Sequence, residues 1–373
     1  MIIKNGLVYM EDFQFRQVNI KCIDGVIQKI TDVEIEPEIG EEVIDAAGMK
    51  VIPGLTDIHF HGCMNYDLCD ATDEAITAMA TYQKSKGVTT ICPATMTLPK
   101  DKLMEIVDVA ANHERKEGEA ELIGINLEGP FISPDRVGAQ NPKFVHRADA
   151  GFLRDLIQAS GGLTKLVTIA PEEEGALECI GDLKDEIKFS IGHTMANYEE
   201  TVAGIKAGVR HMTHMFNAMP GLTHRAPGPI AAAVETPGMT VELICDGYHI
   251  NPAMIRLAFR MFGPDRIITI SDSCRACGME PGAYELGGQT VYLKDGVARL
   301  EDGTIAASAT NIYDCMVNTI QYGVPEELAI RAATYNPVKA IGMEKIYGSI
   351  SEGKKANLVL VNMDYEIQQV IGQ

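Results

Sequence analysis

Short apolar runs alternate with amphipathic stretches along most of the chain. Eight runs, rich in aliphatic and β-branched side chains, occupy residues 55–59, 88–93, 122–127, 166–170, 188–191, 211–215, 240–245 and 267–271. Most are separated by stretches of helical periodicity, such as 73–87, which places its apolar side chains on one face and ends at Gly87. Apolar strands that alternate with helices predict a parallel sheet built from strand–helix units.

The number of these units predicts the fold class. Eight units over roughly 290 residues are typical of a (β/α)8 TIM-type barrel, whose usual length is about 250 residues. An open doubly wound sheet is the alternative, but no Gly-x-Gly-x-x-Gly follows the first strand to support a dinucleotide fold. We therefore predict an α/β protein with a (β/α)8 barrel.

The two ends of the chain have a different pattern. Residues 1–52 form short alternating runs without helical periodicity, and Asp24-Gly25 is a hairpin signal. The run 353–361 near the other end is again strand-like. We predict a small β-sandwich formed from both chain ends, 1–52 plus 345–373, and a barrel domain over 53–344.

Residues that bind metals stand where the predicted strands end. The carboxyl ends of barrel strands share one rim, so these side chains should meet there. His59 and His61 lie two residues apart, which puts both on one side of a strand. The full set, in chain order, is His59, His61, Glu128, His193, His214 and Asp272. Four imidazoles and two carboxylates are thus predicted to converge.

This ligand set predicts a hydrolytic metal site. Imidazole and carboxylate ligands without thiolate suit Zn²⁺, Fe²⁺ or Mn²⁺, as one or two ions. A bound divalent ion lowers the pKa of water to about 7. Asp272, the last member of the ring, is the candidate to take a proton from that water and return it to a leaving amine. Metal-assisted amide hydrolysis is therefore favoured over redox chemistry.

The other histidines and the one close cysteine pair have simpler interpretations. His211 competes with His214, which lies nearer the strand end, so we assign His211 to packing. His113 and His146 fall in a polar helix and a loop, where a structural role is the better interpretation. Cys274-x-x-Cys277 has no second pair, which makes it a poor zinc site.

A turn after the sixth strand is a candidate anion pocket. Residues 217–221 are mostly small, and their backbone N–H groups are expected to be free. Arg225 follows the turn. Free N–H groups beside an arginine bind anions such as a phosphate group.

The net charge and the cysteine content limit the classes of binding partner and indicate the cellular compartment. A formal net charge of −20 argues against nucleic acid or an anionic membrane surface, but not against a small anionic ligand. The nine cysteines are scattered, which fits a reducing cytoplasm rather than a disulfide framework. No signal-peptide pattern and no apolar run of membrane-spanning length occurs in the sequence.

Together these motifs resemble the N-acetylglucosamine-6-phosphate deacetylase family of the amidohydrolase superfamily. The resemblance extends nearly end to end. The matching segments are 53–62, 127–132, 138–139, 192–194, 213–219, 224–228, 246–249 and 271–272.

The resemblance implies a reaction and a role for each site residue. N-acetylglucosamine 6-phosphate and water would give glucosamine 6-phosphate and acetate. Glu128, His193 and His214 would hold the principal ion, and His59 and His61 a second. Asp272 would be the general base and acid. The residues implied in substrate binding are Ala139, Gln140, Asn217, Ala218, Arg225, His249, Ile305, Ala306 and Ala307. The resemblance also implies a homodimer.

Two departures from the family pattern bear on substrate preference and rate. Many relatives carry a histidine where this chain has Gln140, which can donate a hydrogen bond but cannot become cationic. Relatives often have Ala-Gly-Ser where this chain has Ala306-Ala307-Ser308.

Three alternatives stay open on the sequence. The first is deacetylation of the galacto epimer. The second is another amidohydrolase, although Lys165 stands only at the start of strand four and Glu128 fills the ligand role of the modified lysine of such enzymes. The third, a catalytically silent scaffold, is disfavoured because every predicted ligand is retained.

Overall fold

The structure is a computed structural model that describes residues 1–372. Its first strands are β1 (Ile2–Tyr9), β2 (Phe15–Ile23), β3 (Val26–Thr31), β4 (Val43–Asp45), β5 (Lys50–Pro53), β6 (Leu55–Asp57), β7 (Gly62–Cys63), β8 (Tyr66–Asp67), β9 (Val88–Ile91), β10 (Ala94–Thr95), β11 (Glu121–Leu122) and β12 (Ile125–Phe131). The later strands are β13 (Thr164–Ile169), β14 (Lys188–Ile191), β15 (His211–Met212), β16 (Thr240–Ile244), β17 (Ile267–Ile270), β18 (Gly282–Leu286), β19 (Gln289–Lys294), β20 (Val297–Arg299), β21 (Ile305–Ser308), β22 (Leu358–Val361) and β23 (Ile367–Ile371).

Helices occupy most of the connections between the central strands. They are α1 (Asp73–Ser85), α2 (Lys100–Ala111), α3 (Ala150–Ala159), α4 (Ala176–Leu183), α5 (Tyr198–Ala207), α6 (Gly228–Glu235), α7 (Pro252–Phe262), α8 (Ile312–Gln321), α9 (Glu326–Ala333) and α10 (Tyr335–Ala340). Among residues 1–372, no helix combines the length and the apolar character needed to cross a bilayer.

The two ends of the chain pair into one seven-stranded sheet, which we call the chain-end sheet. Its order is β23–β22–β5–β1–β2–β3, and β4 pairs with β1. The C-terminal strand β22 runs antiparallel to β5, with Leu360 opposite Val51. Ile3 and Ile20 belong to the aliphatic core of this sheet. The predicted pairing of the two ends is confirmed, whereas a sandwich arrangement stays a prediction.

Parallel strands form the centre of the molecule. One sheet has the order β10–β12–β13–β14–β15–β16–β17 and a second the order β11–β9–β6, and neighbours within both are parallel. Strands of these two sheets form in all eight predicted runs. The sheets are joined at the strand ends, where Asp272 N donates to His59 O at 2.9 Å. The predicted α/β class with parallel strands is confirmed.

Local sequence signals determine where a helix begins and ends, as α1 illustrates. Thr72 Oγ1 accepts a hydrogen bond from Ala75 N at 3.2 Å, which caps the helix. Asp73 and Glu74 place negative charge in the first turn, where the helix dipole favours it. Gly87 follows with φ +78°, a left-handed conformation that lets the chain turn into β9.

An antiparallel sheet is inserted after the last parallel strand. Its strand order is β18–β19–β20–β21. Ser308, at the end of β21, donates its N–H to Asp272 O at 2.8 Å, and its carbonyl accepts from Cys274 N at 3.0 Å. The insertion therefore carries residues 304–306 to the ends of the parallel strands, beside the predicted site.

Candidate metal centre

Glu128 stands at the centre of the predicted ligand set. Strand β12 delivers it, and only 2% of its surface is exposed. Its Oε1 lies 3.1 Å from His193 Nε2 and 2.9 Å from His214 Nε2. Its Oε2 lies 3.1 Å from His61 Nε2. One carboxylate therefore faces imidazoles from three separate strand ends.

The first strand contributes the remaining imidazole. His59 is fully buried, and its Nε2 lies 3.3 Å from Glu128 Oε1. The rings of His59 and His61 have centroids 5.7 Å apart. The predicted convergence of the four imidazoles on shared carboxylates is confirmed.

The ligand atoms form two overlapping groups that fit a divalent ion. One group is His59, His61 and Glu128, and the other is Glu128, His193 and His214; within each, the ligand atoms lie within 4.8 Å of one another. His59 Nε2 is buried and makes no hydrogen bond to any described residue. Nitrogen and carboxylate ligands so placed suit Zn²⁺, Fe²⁺ or Mn²⁺.

Electrostatics keep the central carboxylate ionised. Burial alone would raise the pKa of Glu128, but His59, His193 and their neighbours hold this pKa well below its ordinary value. A buried carboxylate that stays charged remains a ligand at neutral pH.

Asp272 lies beside the imidazoles of the first strand. Its Oδ1 is 3.4 Å from His61 Nε2 and 3.8 Å from His59 Nε2. Burial opposes ionisation, but the hydrogen bond from His61 and the charge of His59 lower the pKa of the Asp272 carboxyl. The group is therefore a carboxylate at neutral pH and can accept a proton.

Three of these site residues adopt an unusual backbone conformation. His193, His214 and Asp272 have φ values of +46°, +24° and +47°. Such conformations cost roughly 1–3 kcal/mol each for residues other than glycine, and they cluster at functional sites. Each of these residues follows the end of its strand. His193 and His214 contact Glu128, and Asp272 contacts His61.

A cavity of about 360 Å³ opens over the predicted metal ligands. Five predicted ligand or catalytic residues line it, namely His61, Glu128, His193, His214 and Asp272. Seven predicted substrate residues also line it: Ala139, Gln140, Asn217, Ala218, His249, Ile305 and Ala306. Ala307 is only 1% exposed and does not line the cavity. Arg225 is exposed on a loop and is likewise outside the lining.

The turn after the sixth strand differs in one respect from its prediction. The backbone N–H of Asn217 is not free, because it donates to His214 O at 3.0 Å. Phe216 and Ala218 take positive φ values of +82° and +50°, which tightens this turn. The N–H of Asn217 is therefore used to hold the turn rather than offered to an anion.

Gln140 is held by partners on both sides of its amide. Its Oε1 accepts from Thr97 N at 2.6 Å, and its Nε2 donates to Glu128 Oε2. The backbone N–H requires the oxygen and the carboxylate requires the NH2 group, so the orientation of the amide is determined. Gln140 thus contacts the central ligand directly.

His249 is oriented by a carboxylate of its own loop. Its Nδ1 lies 2.7 Å from Asp246 Oδ2. With Nδ1 protonated for this bond, Nε2 of the neutral ring is an acceptor.

Two carboxylates near the site, one buried and one half-buried, were not predicted from the sequence. Glu242, in the middle of β16, is fully buried and lies 2.8 Å from His59 Nδ1. Glu172, just after β13, accepts from Thr194 Oγ1 and Met195 N and so holds the loop that follows His193. The available signal for Glu242 was a charged residue inside an otherwise apolar run.

His211 is buried, as predicted, but it does more than fill space. Its Nε2 lies 2.9 Å from Glu242 Oε1, so it belongs to the same hydrogen-bond network as His59. Cys274 and Cys277 are buried free thiols, and neither belongs to the two ligand groups.

The amino-acid sequence is similar to those of known proteins. The sequence model of the protein family described as "Amidohydrolase family" matches residues 50–372 of this chain. An N-acetylglucosamine-6-phosphate deacetylase from Bacillus subtilis (strain 168) is 35% identical, over 98% of this chain and 94% of that protein. An N-acetylgalactosamine-6-phosphate deacetylase from Escherichia coli O157:H7 is 30% identical, over 97% of this chain and 94% of that protein.

A solved structure extends the similarity to three dimensions. It is an Asp-to-Ala mutant of N-acetyl-D-glucosamine-6-phosphate deacetylase from Mycobacterium smegmatis in complex with N-acetyl-D-glucosamine 6-phosphate. The alignment has a TM-score of 0.92 and 30% sequence identity, and it covers 100% of this chain and 97% of that one.

Proposed function

The chain belongs to the amidohydrolase family, and from this premise we propose that it is a metal-dependent N-acetylglucosamine-6-phosphate deacetylase. The reaction converts N-acetylglucosamine 6-phosphate and water into glucosamine 6-phosphate and acetate. The main support is that Glu128, His61, His193, His214 and Asp272 line one cavity, with His59 in contact with Glu128. The chain is also 35% identical to a deacetylase of this name.

The two ligand groups suggest how metal would be held. Glu128, His193 and His214 would bind the principal ion, and His59 and His61 would bind a second that shares Glu128. When bound, a divalent ion supplies a water of lowered pKa and polarises the acetamide carbonyl. Zn²⁺, Fe²⁺ and Mn²⁺ all suit these ligands.

Asp272 is proposed as the general base and acid. As a carboxylate beside His61, it accepts a proton from the water that attacks the acetamide carbonyl. The protonated Asp272 then delivers that proton to the amine nitrogen as the carbon–nitrogen bond breaks. The proton is needed because an amine leaves poorly when it is unprotonated.

The rest of the cavity is proposed to orient the sugar phosphate. His249, held by Asp246, contacts the sugar or its acetamide. Asn217 and Ala218 lie on the phosphate side, and the exposed loop that carries Arg225 supplies a cation there. The apolar wall consists of Ala139, Ile305, Ala306 and, behind them, Ala307.

Gln140 is proposed to support the metal site rather than to polarise the substrate. Its NH2 group is engaged by Glu128 and its oxygen by Thr97 N. In this chain, therefore, the position where many relatives carry a histidine helps to hold the central ligand.

The finer architecture is also part of the proposal. The two parallel sheets make one (β/α)8 barrel over residues 53–344, an arrangement supported by the bond from Asp272 N to His59 O. Residues 1–52 with 345–373 form the small β-sandwich domain, of which Gln373 lies outside the described residues. The protein acts as a cytoplasmic homodimer, a proposal based on the family resemblance and checked by light scattering of the purified chain.

A second candidate substrate is the galacto epimer. The observation that favours it is the 30% identity to an N-acetylgalactosamine-6-phosphate deacetylase. The two sugars differ in the configuration of one hydroxyl group. The two relatives have similar sequence identities to this chain, 35% and 30%.

Acetate release tests both candidates. The substrates are N-acetylglucosamine 6-phosphate, N-acetylgalactosamine 6-phosphate and unphosphorylated N-acetylglucosamine, each with and without a chelator. We expect the highest kcat/KM with N-acetylglucosamine 6-phosphate and its loss on chelation. A higher kcat/KM for the galacto epimer would reassign the substrate, and activity that survives complete metal removal would contradict the mechanism.

A further inference from the structure

Glu242 is a buried charge without a role in the proposed chemistry. It lies in the middle of β16, between the apolar residues Val241 and Leu243, and is 0% exposed. An ionised side chain inside a protein is costly unless it is paired and hydrogen-bonded. The groups that face Glu242 therefore indicate why a carboxylate stands at this position.

Both oxygens of Glu242 accept hydrogen bonds from neighbouring strand ends. Oε2 accepts from His59 Nδ1 at 2.8 Å and from the backbone N–H of His214 at 3.0 Å. Oε1 lies 2.9 Å from His211 Nε2, and His211 Nδ1 lies 2.6 Å from Thr240 Oγ1. The carboxylate is thus anchored by His211 and by the backbone of His214, and it contacts the ring of one predicted metal ligand, His59.

This contact determines which nitrogen of His59 is available. Because Nδ1 is engaged by Glu242, Nε2 is the nitrogen of His59 that is left to bind a metal ion. His59 Nε2 is the buried atom without a hydrogen bond to any described residue, and it faces Glu128 Oε1. Glu242 therefore presents the nitrogen that binds metal towards the ligand group.

Each ligand group has one imidazole whose Nδ1 is held by a hydrogen bond. In the principal group, His193 Nδ1 is fixed by Arg136 O at 2.9 Å, whereas His214 Nδ1 is buried with no hydrogen bond to any described residue. In the second group, His61 Nδ1 is buried with no hydrogen bond to any described residue, so His59 is the only imidazole of that pair held from behind. In the second group, the partner that holds this imidazole is the carboxylate of Glu242.

We propose that Glu242, anchored by His211, is a positioning residue that builds the second metal position by orienting His59. This inference rests on the proposed function only in requiring that the site holds metal. Partners that fix a metal-binding histidine typically change metal affinity by about 10–100-fold when they are removed.

The number of metal ions bound per chain tests the positioning role of Glu242 without measuring catalysis. Each variant is dialysed against equal concentrations of buffered free Zn²⁺, and zinc per chain is measured by mass spectrometry. We expect two ions per wild-type chain and one per Glu242→Gln chain, with the affinity for the second ion lowered about 10–100-fold. Glutamine keeps the shape of Glu242 but removes its charge and replaces one acceptor oxygen with an NH2 donor. A thermal melt verifies that the variant is folded.

A matched control and a double variant separate this role from a general structural one. Glu119 is also a buried carboxylate beside a histidine, since its Oε2 lies 3.1 Å from His113 Nε2, but it is outside the metal groups. Glu119→Gln should keep two ions. In a His59→Asn background, which removes the oriented ligand, Glu242→Gln should cause no further loss of zinc.

Three results would overturn the inference: a wild-type chain that takes up one ion only, a Glu242→Gln chain that keeps both ions at unchanged affinity, or one that loses both ions equally. These results are independent of acetate release. A chain that loses one ion through Glu242→Gln but deacetylates no sugar phosphate would contradict the proposed function and leave this inference standing.

Discussion

The chain-end sheet and the ends of the parallel strands are both deeply buried, yet they bury opposite kinds of side chain. The core of the chain-end sheet consists of aliphatic residues such as Ile3, Ile20 and Leu358, each 0% exposed. The strand ends bury ionisable groups to a similar degree, with His59 at 0% and Glu128 at 2%. The first region gains free energy from removing apolar surface from water, about 25 cal/mol per Å².

The strand ends gain little free energy in this way, because the side chains that they bury are ionisable. Each buried charge there is satisfied by another group of the same network, and single removals leave a partner uncompensated. Positive φ angles at His193, His214 and Asp272 add a local backbone cost. The comparison teaches that two different regions provide stability and function. The chain-end sheet contributes stability, and the strand ends form a preorganised site.

The largest expected effect is loss of activity through a change at the strand ends. Asp272→Asn should lower kcat for acetate release by at least about 10²–10⁴-fold, because the amide cannot carry the proton. Metal content should stay near that of the wild type, and a thermal melt should show that the variant is folded. The exposed carboxylate of Asp155 provides the control variant Asp155→Asn. Substantial activity in Asp272→Asn would remove this residue from its assigned role.

A substitution in the chain-end sheet should have the reverse signature. Ile20→Ala should lower the free energy of unfolding by about 2–5 kcal/mol, because it leaves a cavity in the aliphatic core. Zinc content and kcat of the folded fraction should not change. Ile23 lies on the same strand but is 45% exposed, so Ile23→Ala should cost much less. If Ile20→Ala abolished metal binding in folded protein, the separation of the two regions would be wrong.

The contact between α1 and the chain-end sheet should respond to pH through Lys84. Its Nζ donates to Gly372 O at 2.9 Å, and burial lowers its pKa to about 8, against about 10.4 in the unfolded chain. Between these values the unfolded state binds more protons, so this residue makes stability rise with pH. We expect wild type to gain about 1–3 kcal/mol relative to Lys84→Met from pH 8 to 10 in urea unfolding. A constant difference across that range would contradict the assignment.

The smallest expected effect concerns substrate binding at the edge of the site. Arg225→Ala should raise KM for the phosphorylated sugar about tenfold, the equivalent of one charge-assisted hydrogen bond, and should change KM for the unphosphorylated sugar far less. Arg154→Ala, at another exposed arginine, is the control. Equal effects on both sugars would show that Arg225 does not contact phosphate.

Strand ends were predictable from the sequence because apolar runs stop where ligands begin. This rule placed His193 after β14 and Asp272 after β17, and parallel topology then brings such ends together. Sequence proximity does not determine where a loop points, which is why Arg225 was expected beside the cavity but lies on an exposed loop. The partners of Glu242 come from other strands, so their spacing along the chain carries no sign of contact.

Anomalous diffraction at the zinc absorption edge, from a zinc-loaded crystal of the active chain, tests the central claim most directly. The account predicts a peak about 2.0–2.2 Å from a Glu128 oxygen, His193 Nε2 and His214 Nε2, with a second peak beside His59 and His61. An active crystal with no peak among these residues, or with its only peaks elsewhere, would contradict it.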